Sequence, residues 1–181
     1  MLTLATRQKQ PGSIAIDAQQ VYWANHGLKR PTYFQDGSVV RMPRDGGKKR
    51  FTIAKAQTLA SSLVVDDAWI YWTTAIDFDE PHALGALRKR RKAGGKIVEL
   101  ASWHWYEDAL LALDATHVYW LSSLRPAIFR ARKEGGEPEQ LMAGEQGAAI
   151  FPDSLVVDDR CVYWTVRGSQ RAGGAVFKMA K

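Results

Sequence analysis

The segment Trp103-His104-Trp105-Tyr106-Glu107-Asp108 sets three aromatic rings, an imidazole and two carboxylates in consecutive positions. Indole and phenol rings pair an apolar face with a polar edge, so such a run suits stacking against a sugar or another planar ligand. A second group able to do chemistry is Asp77-Phe78-Asp79-Glu80, with His82 close behind. Its carboxylates offer hard oxygen ligands to calcium, but the ordered glycine and spacing of an EF-hand loop are missing, and no metal site is assigned. His26, Lys29, Arg30 and Tyr33 share another polar stretch, and Arg125 lies in a third. His26, His82 and His104 are too scattered to form a ligand motif. The ligand-binding candidates are therefore Trp103, His104, Trp105, Tyr106, Arg30, Tyr33, Asp79, His82 and Arg125, with no catalytic residue and no cofactor.

Positive charge is the other conspicuous resource. The chain of 181 residues carries a net charge of +6. Arg88-Lys89-Arg90-Arg91-Lys92 is a continuous basic run, and Arg41, Arg44, Lys48, Lys49 and Arg50 form a looser one. Such runs are ordinarily solvated, and contact with phosphates is the rival reading. Aromatic residues do not alternate with the charges, as they do on a platform for single-stranded nucleic acid. Nucleophile elbow, Walker loop, zinc-spaced Cys/His set and dinucleotide fingerprint are all absent from the sequence. Cys161 is the only cysteine, so no internal disulfide forms, and its apolar neighbours point to a buried, inert thiol.

What must position these residues is a repeat. Tyr-Trp occurs at 22–23, 71–72, 119–120 and 163–164, and the copies are spaced by 49, 48 and 44 residues. Five positions before each tyrosine stands an aspartate: Asp17, Asp66, Asp114 and Asp158. An apolar strand precedes each aspartate (Ser13–Ile16, Leu63–Val65, Leu110–Leu113, Leu155–Val157). A β-branched and aromatic strand follows it (Val21–Trp23, Ile70–Trp72, Val118–Trp120, Val162–Trp164). Third strands are read at Ser38–Arg41, Ala86–Lys89, Ala127–Arg130 and Ala175–Lys178. Gly-Gly turns at 46–47, 94–95 and 135–136 supply the positive φ angles of tight hairpins, and fourth strands follow, as at Phe51–Ala54 and Ile97–Leu100. No segment carries a helical stripe.

Four antiparallel strands in a repeat of about 45 residues make a β-propeller blade. The fold class is all-β, with about four blades of 44–49 residues in one propeller domain spanning 1–181. Leu2–Ala5 matches Phe51–Ala54 in its distance to the next aspartate, so the chain opens on a fourth strand without its blade and closes on a blade without its fourth strand. Pairing these ends would close the ring; otherwise the chain is a partial propeller, either a fragment or half of an assembly. The columns Trp23, Trp72, Trp120 and Trp164 are expected to be core. The aspartates are expected to cap their turns, with ion pairs in at least two repeats to Arg41, Lys89, Arg130 or Lys178.

The pattern of apolar strand, Asp-x4-Tyr-Trp, Gly-x-aliphatic-x-basic and Gly-Gly resembles the YWTD repeat of the low-density-lipoprotein-receptor propellers. It is similar also to bacterial propellers of the six-bladed, TolB-like kind, with their Val-Tyr-Trp and Asp-Gly-Gly repeats. The YWTD aspartate is replaced here by Asn25, Thr74, Ser122 and Val166, and four repeats stand where such rings usually hold six or more. The resemblance implies a fold rather than a function. The preferred reading is a non-catalytic binding or interaction module, with its ligand face formed by inter-blade and second-to-third-strand loops. Its partner would be a small molecule, a carbohydrate or a protein. The first alternative is a gluconolactonase-like metal-dependent hydrolase drawing on Asn25, Glu107, Asp108 and Asp153. The second is a basic scaffold for nucleic acid. No apolar run is long enough to span a bilayer. Residues Met1–Gly12 lack a signal-peptide core, which indicates the cytoplasm if Met1 is the true start and a secreted or periplasmic protein if the chain is a fragment.

Overall fold

Alternating apolar positions bounded by turn residues give strands throughout the computed structural model, which describes residues 1–28, 36–47, 49–75, 85–103, 109–122, 127–143, 151–168 and 173–181. The first repeat forms β1 (Pro11–Ile16), β2 (Gln20–Asn25), β3 (Ser38–Pro43) and β4 (Phe51–Lys55). The second forms β5 (Leu63–Val65), β6 (Trp69–Thr74), β7 (Gly85–Arg91) and β8 (Val98–Trp103). The third forms β9 (Ala109–Leu113), β10 (His117–Ser122), β11 (Ile128–Arg132) and β12 (Glu139–Met142), and the last β13 (Phe151–Val157), β14 (Cys161–Arg167) and β15 (Ala175–Ala180). Each repeat is its own antiparallel meander in chain order. The all-β, blade-built propeller class is therefore the fold of this chain.

Three sheets have four strands and the last has three. Leu2–Ala5 carry no strand, so the fourth strand expected for the last sheet is not supplied among the described residues. The chain divides into two compact units, Met1–Tyr106 with the first two sheets and Glu107–Lys181 with the other two.

Strand pleating explains why Tyr and Trp recur as neighbours: adjacent residues point to opposite faces. In the first unit, the tyrosine face of sheet one (Tyr22, Ala24, Val39) packs with the tryptophan face of sheet two (Leu63, Ile70, Trp72). In the second unit Tyr119, Leu121 and Ile128 pack in the same way with Leu155, Val162 and Trp164. Within each unit the earlier sheet thus turns its tyrosine face, and the later sheet its tryptophan face, to the core they share. All four tryptophans of the repeat are buried, and so is Cys161. The hairpins at Gly94-Gly95 and Gly135-Gly136 run at φ between 108° and 114°, where a side chain is strained even though nothing crowds the position.

Candidate functional site

The repeat aspartate does two jobs with its two oxygens. Asp17 Oδ1 accepts the amides of Gln19 (2.9 Å) and Gln20 (2.7 Å), while Oδ2 accepts the Tyr22 hydroxyl at 2.7 Å. The same set recurs at Asp66 with Ala68, Trp69 and Tyr71, at Asp114 with Thr116, His117 and Tyr119, and at Asp158 with Arg160, Cys161 and Tyr163. Two of these carboxylates also take a lysine from the following sheet. Lys92 Nζ lies 2.6 Å from Asp17 and Lys181 Nζ 2.5 Å from Asp114. Each ammonium also sits over the tyrosine ring, at 5.2 Å from Tyr22 and 5.0 Å from Tyr119. Burial opposes the charge on Asp17, but Lys92, the Tyr22 hydroxyl and the two amides outweigh it and hold the carboxyl well below the usual carboxylate range. Burial and the Asp17 charge push Tyr22 up to about 12.

The pairing partners differ from those expected. Arg41, Lys89, Arg130 and Lys178 stand directly across the ladder from the tyrosines. Arg41 donates to the Lys92 carbonyl (3.1 Å), Lys89 lies over the Trp69 ring, Arg130 pairs with Glu139 at 2.7 Å, and Lys178 lies over Tyr163. The residue that reaches the carboxylate comes just after the third strand. Its amide bonds the carbonyl two residues past the aspartate of its own sheet, and Arg44, Lys92, Lys133 and Lys181 all occupy this position.

The basic run 88–92 is consumed by the same architecture. Arg88 bonds Gln57 and Glu99, Arg90 bonds the carbonyls of Gly95 and Ile53, Lys89 and Arg91 flank Trp69, and Lys92 takes Asp17. A row of cations already engaged with one protein surface is a poor start for phosphate binding.

A cleft of about 370 Å³ opens on the tryptophan face of the first sheet, beside residues 7–9. Its polar floor is Asn25, at the end of β2, and Ser38, at the start of β3. Asn25 is only 4% exposed; its amide Nδ2 donates to Ser38 Oγ (3.1 Å) and Gln8 Oε1 (3.4 Å). The carbonyl Oδ1 is buried without a hydrogen-bond partner among the described residues. The walls carry Arg7, Lys9, Arg50 and Lys55 against a single carboxylate, Asp36. Lys9 pairs with Asp36 at 2.5 Å, and Asp36 also accepts the Leu28 amide at 2.8 Å. Arg7, Arg50 and Lys55 are left with no ion pair among the described residues, so the cleft is net positive. Sequence reasoning named Asn25 and Arg50 of this group but did not bring them together, because the cleft is assembled from four short segments with no shared motif.

Of the residues read as ligand-binding, Trp103 ends β8 half-buried, with its ring over Gly85, where a Cβ would collide with the indole. That contact explains the glycine and gives Trp103 a packing role. His104, Trp105, Tyr106, Arg30, Tyr33, Asp79, His82 and Arg125 lie outside the described residues, as do Asp77, Glu80, Glu107 and Asp108. Asp153 pairs with Arg167 at 2.5 Å on the surface. No group of three His, Cys, Asp or Glu side chains suited to a metal ion occurs among the described residues.

No protein-family model and no curated protein matches this chain. Solved structures do. A chain of the nidogen/laminin complex superposes with a TM-score of 0.71 at 16% identity, over 97% of this chain and 61% of its own length. A gluconolactonase from Xanthomonas campestris gives a TM-score of 0.68 at 17% identity, over 96% of this chain and 60% of the enzyme. The computationally designed Ika4 protein gives 0.65 at 13% identity, with 98% and 96% covered. This chain thus spans about three-fifths of the nidogen/laminin chain and of the gluconolactonase. Identities this low speak for the fold alone.

Proposed function

We propose that the chain is a non-catalytic β-propeller module, a single domain over residues 1–181, and that its cleft binds a small anion bearing hydroxyl groups. The observation that carries this reading is the buried, unpartnered Oδ1 of Asn25 beneath three unpaired cations. A buried carbonyl oxygen without a donor costs about 1–3 kcal/mol, and a ligand hydroxyl relieves that cost. Arg7, Arg50 and Lys55 around the mouth favour a carboxylate or phosphate on the same ligand. Sugar acids and sugar phosphates combine both groups.

A gluconolactonase-like metal-dependent hydrolase is the second reading, favoured by the same Asn25 oxygen, which is a hard donor of the kind a divalent cation takes. Charge weighs against it. A doubly charged ion in this cleft faces three unpaired cations and the single carboxylate Asp36, already held by Lys9. Asp153 is likewise occupied by Arg167. The basic-scaffold reading is weakened by the engagement of residues 88–92 described above.

Calorimetric titration with gluconate, inorganic phosphate, glucose and calcium separates the readings. Gluconate is expected to bind more tightly than phosphate or glucose, and the double variant R50A/K55A to weaken it by at least about tenfold. Heat from calcium with none from gluconate would transfer support to the hydrolase reading. Gluconate binding indifferent to R50A/K55A would remove the cleft as the site.

A further inference from the structure

Two faces of this chain are bare in columns that are covered elsewhere. Val39 and Ile128 occupy one column, across the ladder from the residue two past the tyrosine, and both are 0% exposed; Val176 holds that position in the last sheet and is 78% exposed. Val156, opposite Tyr163, is 56% exposed, whereas Ala112, opposite Tyr119, is buried. The tyrosine face of the last sheet is therefore open. The tryptophan face of the first sheet is open in the complementary way. Ile14, opposite Trp23, is 66% exposed, whereas Leu63 and Leu155, opposite Trp72 and Trp164, are buried.

The charges of the lock are unmatched at the same two places. Asp158 holds its turn amides and the Tyr163 hydroxyl but has no ion pair among the described residues. Arg44 stands in the position of Lys92 and Lys181; its guanidinium donates to the Asp17 carbonyl at 3.2 Å and has no ion pair among the described residues.

The opening segment is a displaced copy of an outer strand and linker. Gln8 Oε1 accepts Trp23 Nε1 (3.1 Å) as Gln57 Oε1 accepts Trp72 Nε1 (3.0 Å). Leu4 and Ala5 pack with Val21 and Trp23, as Ile53 and Ala54 pack with Ile70 and Trp72. Left-handed backbone recurs at the same offset, at Arg7 and Gln10 (57° and 54°) and at Ala56 and Leu59 (52° and 48°). Non-glycine residues take this conformation at a cost, so its repetition marks a shape both linkers need. Residues 2–5 thus correspond to β4 without a sheet to belong to, and β15 ends a sheet that has no fourth strand among the described residues.

We propose that the tyrosine face of the β13–β15 sheet is an interface for the first sheet of a second copy of this chain. That copy's residues 2–5 lie along the free edge of β15, its Ile14 and Ile16 cover Val156 and Val176, and its Arg44 reaches Asp158. The arrangement is reciprocal, so two copies cover both faces of each and give β15 a strand along its free edge.

The test is the mass of the full chain in solution by light scattering over a concentration series. Twice the chain mass of 20.2 kDa is expected, with V176K raising the dissociation constant by at least about tenfold because it places an unpaired charge in the interface. I14K is expected to act likewise from the other face. Mixing V176K with I14K leaves one intact tyrosine face opposite one intact tryptophan face and should restore the doubled mass, which a misfolded variant cannot do. A single-chain mass for the unaltered protein at every concentration would overturn the proposal in favour of closure within one chain or of another partner. A doubled mass unchanged by V176K, or no recovery on mixing, would overturn it as well.

Discussion

Ile128 and Val176 are the same residue of the repeat in two different sheets. Ile128 is enclosed between Tyr119, Leu121 and the tryptophan face of the next sheet, and Val176 stands in water. Both are aliphatic, both lie in a third strand, and both face the same side as a tyrosine locked to an aspartate. Nothing local to the strand tells them apart. Burial in this architecture is a property of the neighbouring sheet, and a column can be apolar in all four repeats while its use differs between them.

Substitutions along the tryptophan and aliphatic columns turn that contrast into numbers. Trp72→Ala, at a fully buried site whose indole N–H is held by Gln57, should cost about 3–5 kcal/mol in denaturant unfolding. An unchanged midpoint would mean that the tryptophan face is not where the sheets are held. Ile128→Ala should cost about 2–5 kcal/mol, while Val176→Ala in a dissociated chain should stay within about 0.5 kcal/mol. Equal losses at the two positions would erase the contrast.

The acidic columns divide in the same way. Asp114→Asn strands a largely buried lysine, Lys181, and weakens the Tyr119 bond, with an expected loss of about 1–3 kcal/mol. Asp158→Asn breaks no ion pair among the described residues and should lower the melting temperature less. The smallest effect expected is in acid. Asp17 and Asp114 titrate below their unfolded value of about 3.9, so each contributes stability at neutral pH that is lost as pH falls from about 4 through the folded value. Asp158 is held at about 2 by the Arg160 amide, the Tyr163 hydroxyl and the Cys161 amide, and its loss begins in the same range. Melting curves between pH 5 and pH 2, about the span of these titrations, should fall more gently in D114N than in the unaltered chain. Parallel curves would mean that Asp114 titrates normally.

The strands were legible because each repeat spells them with alternating apolar residues between turn signals, and β2, β6, β10 and β14 carry Tyr-Trp where the spacing places it. The lock was half legible. Asp-x4-Tyr is visible in the chain, but only the turn brings the phenol back onto the second carboxylate oxygen. The basic residue that completes it was sought inside the third strand, at Arg41, Lys89, Arg130 and Lys178, when it lies beyond the strand end at Lys92 and Lys181. Gln8 and Gln57 each precede their tryptophan by the same interval, a signal available from the aligned repeats and easily passed over because glutamine is common in loops. The cleft was not legible at all. Arg7, Asn25, Ser38, Arg50 and Lys55 come from separate segments, and only folding makes them neighbours.

The Asp–Tyr–Lys lock also bears on how such a chain can lengthen over generations. Each repeat carries an acid and a phenol and, just past its third strand, a base, and in each unit the base of the later repeat takes the acid of the earlier one. A tandem duplication of one repeat in the gene therefore inserts a sheet whose two sides already match whatever flanks it. Copy number becomes a heritable variable separate from the chemistry of the individual sheet.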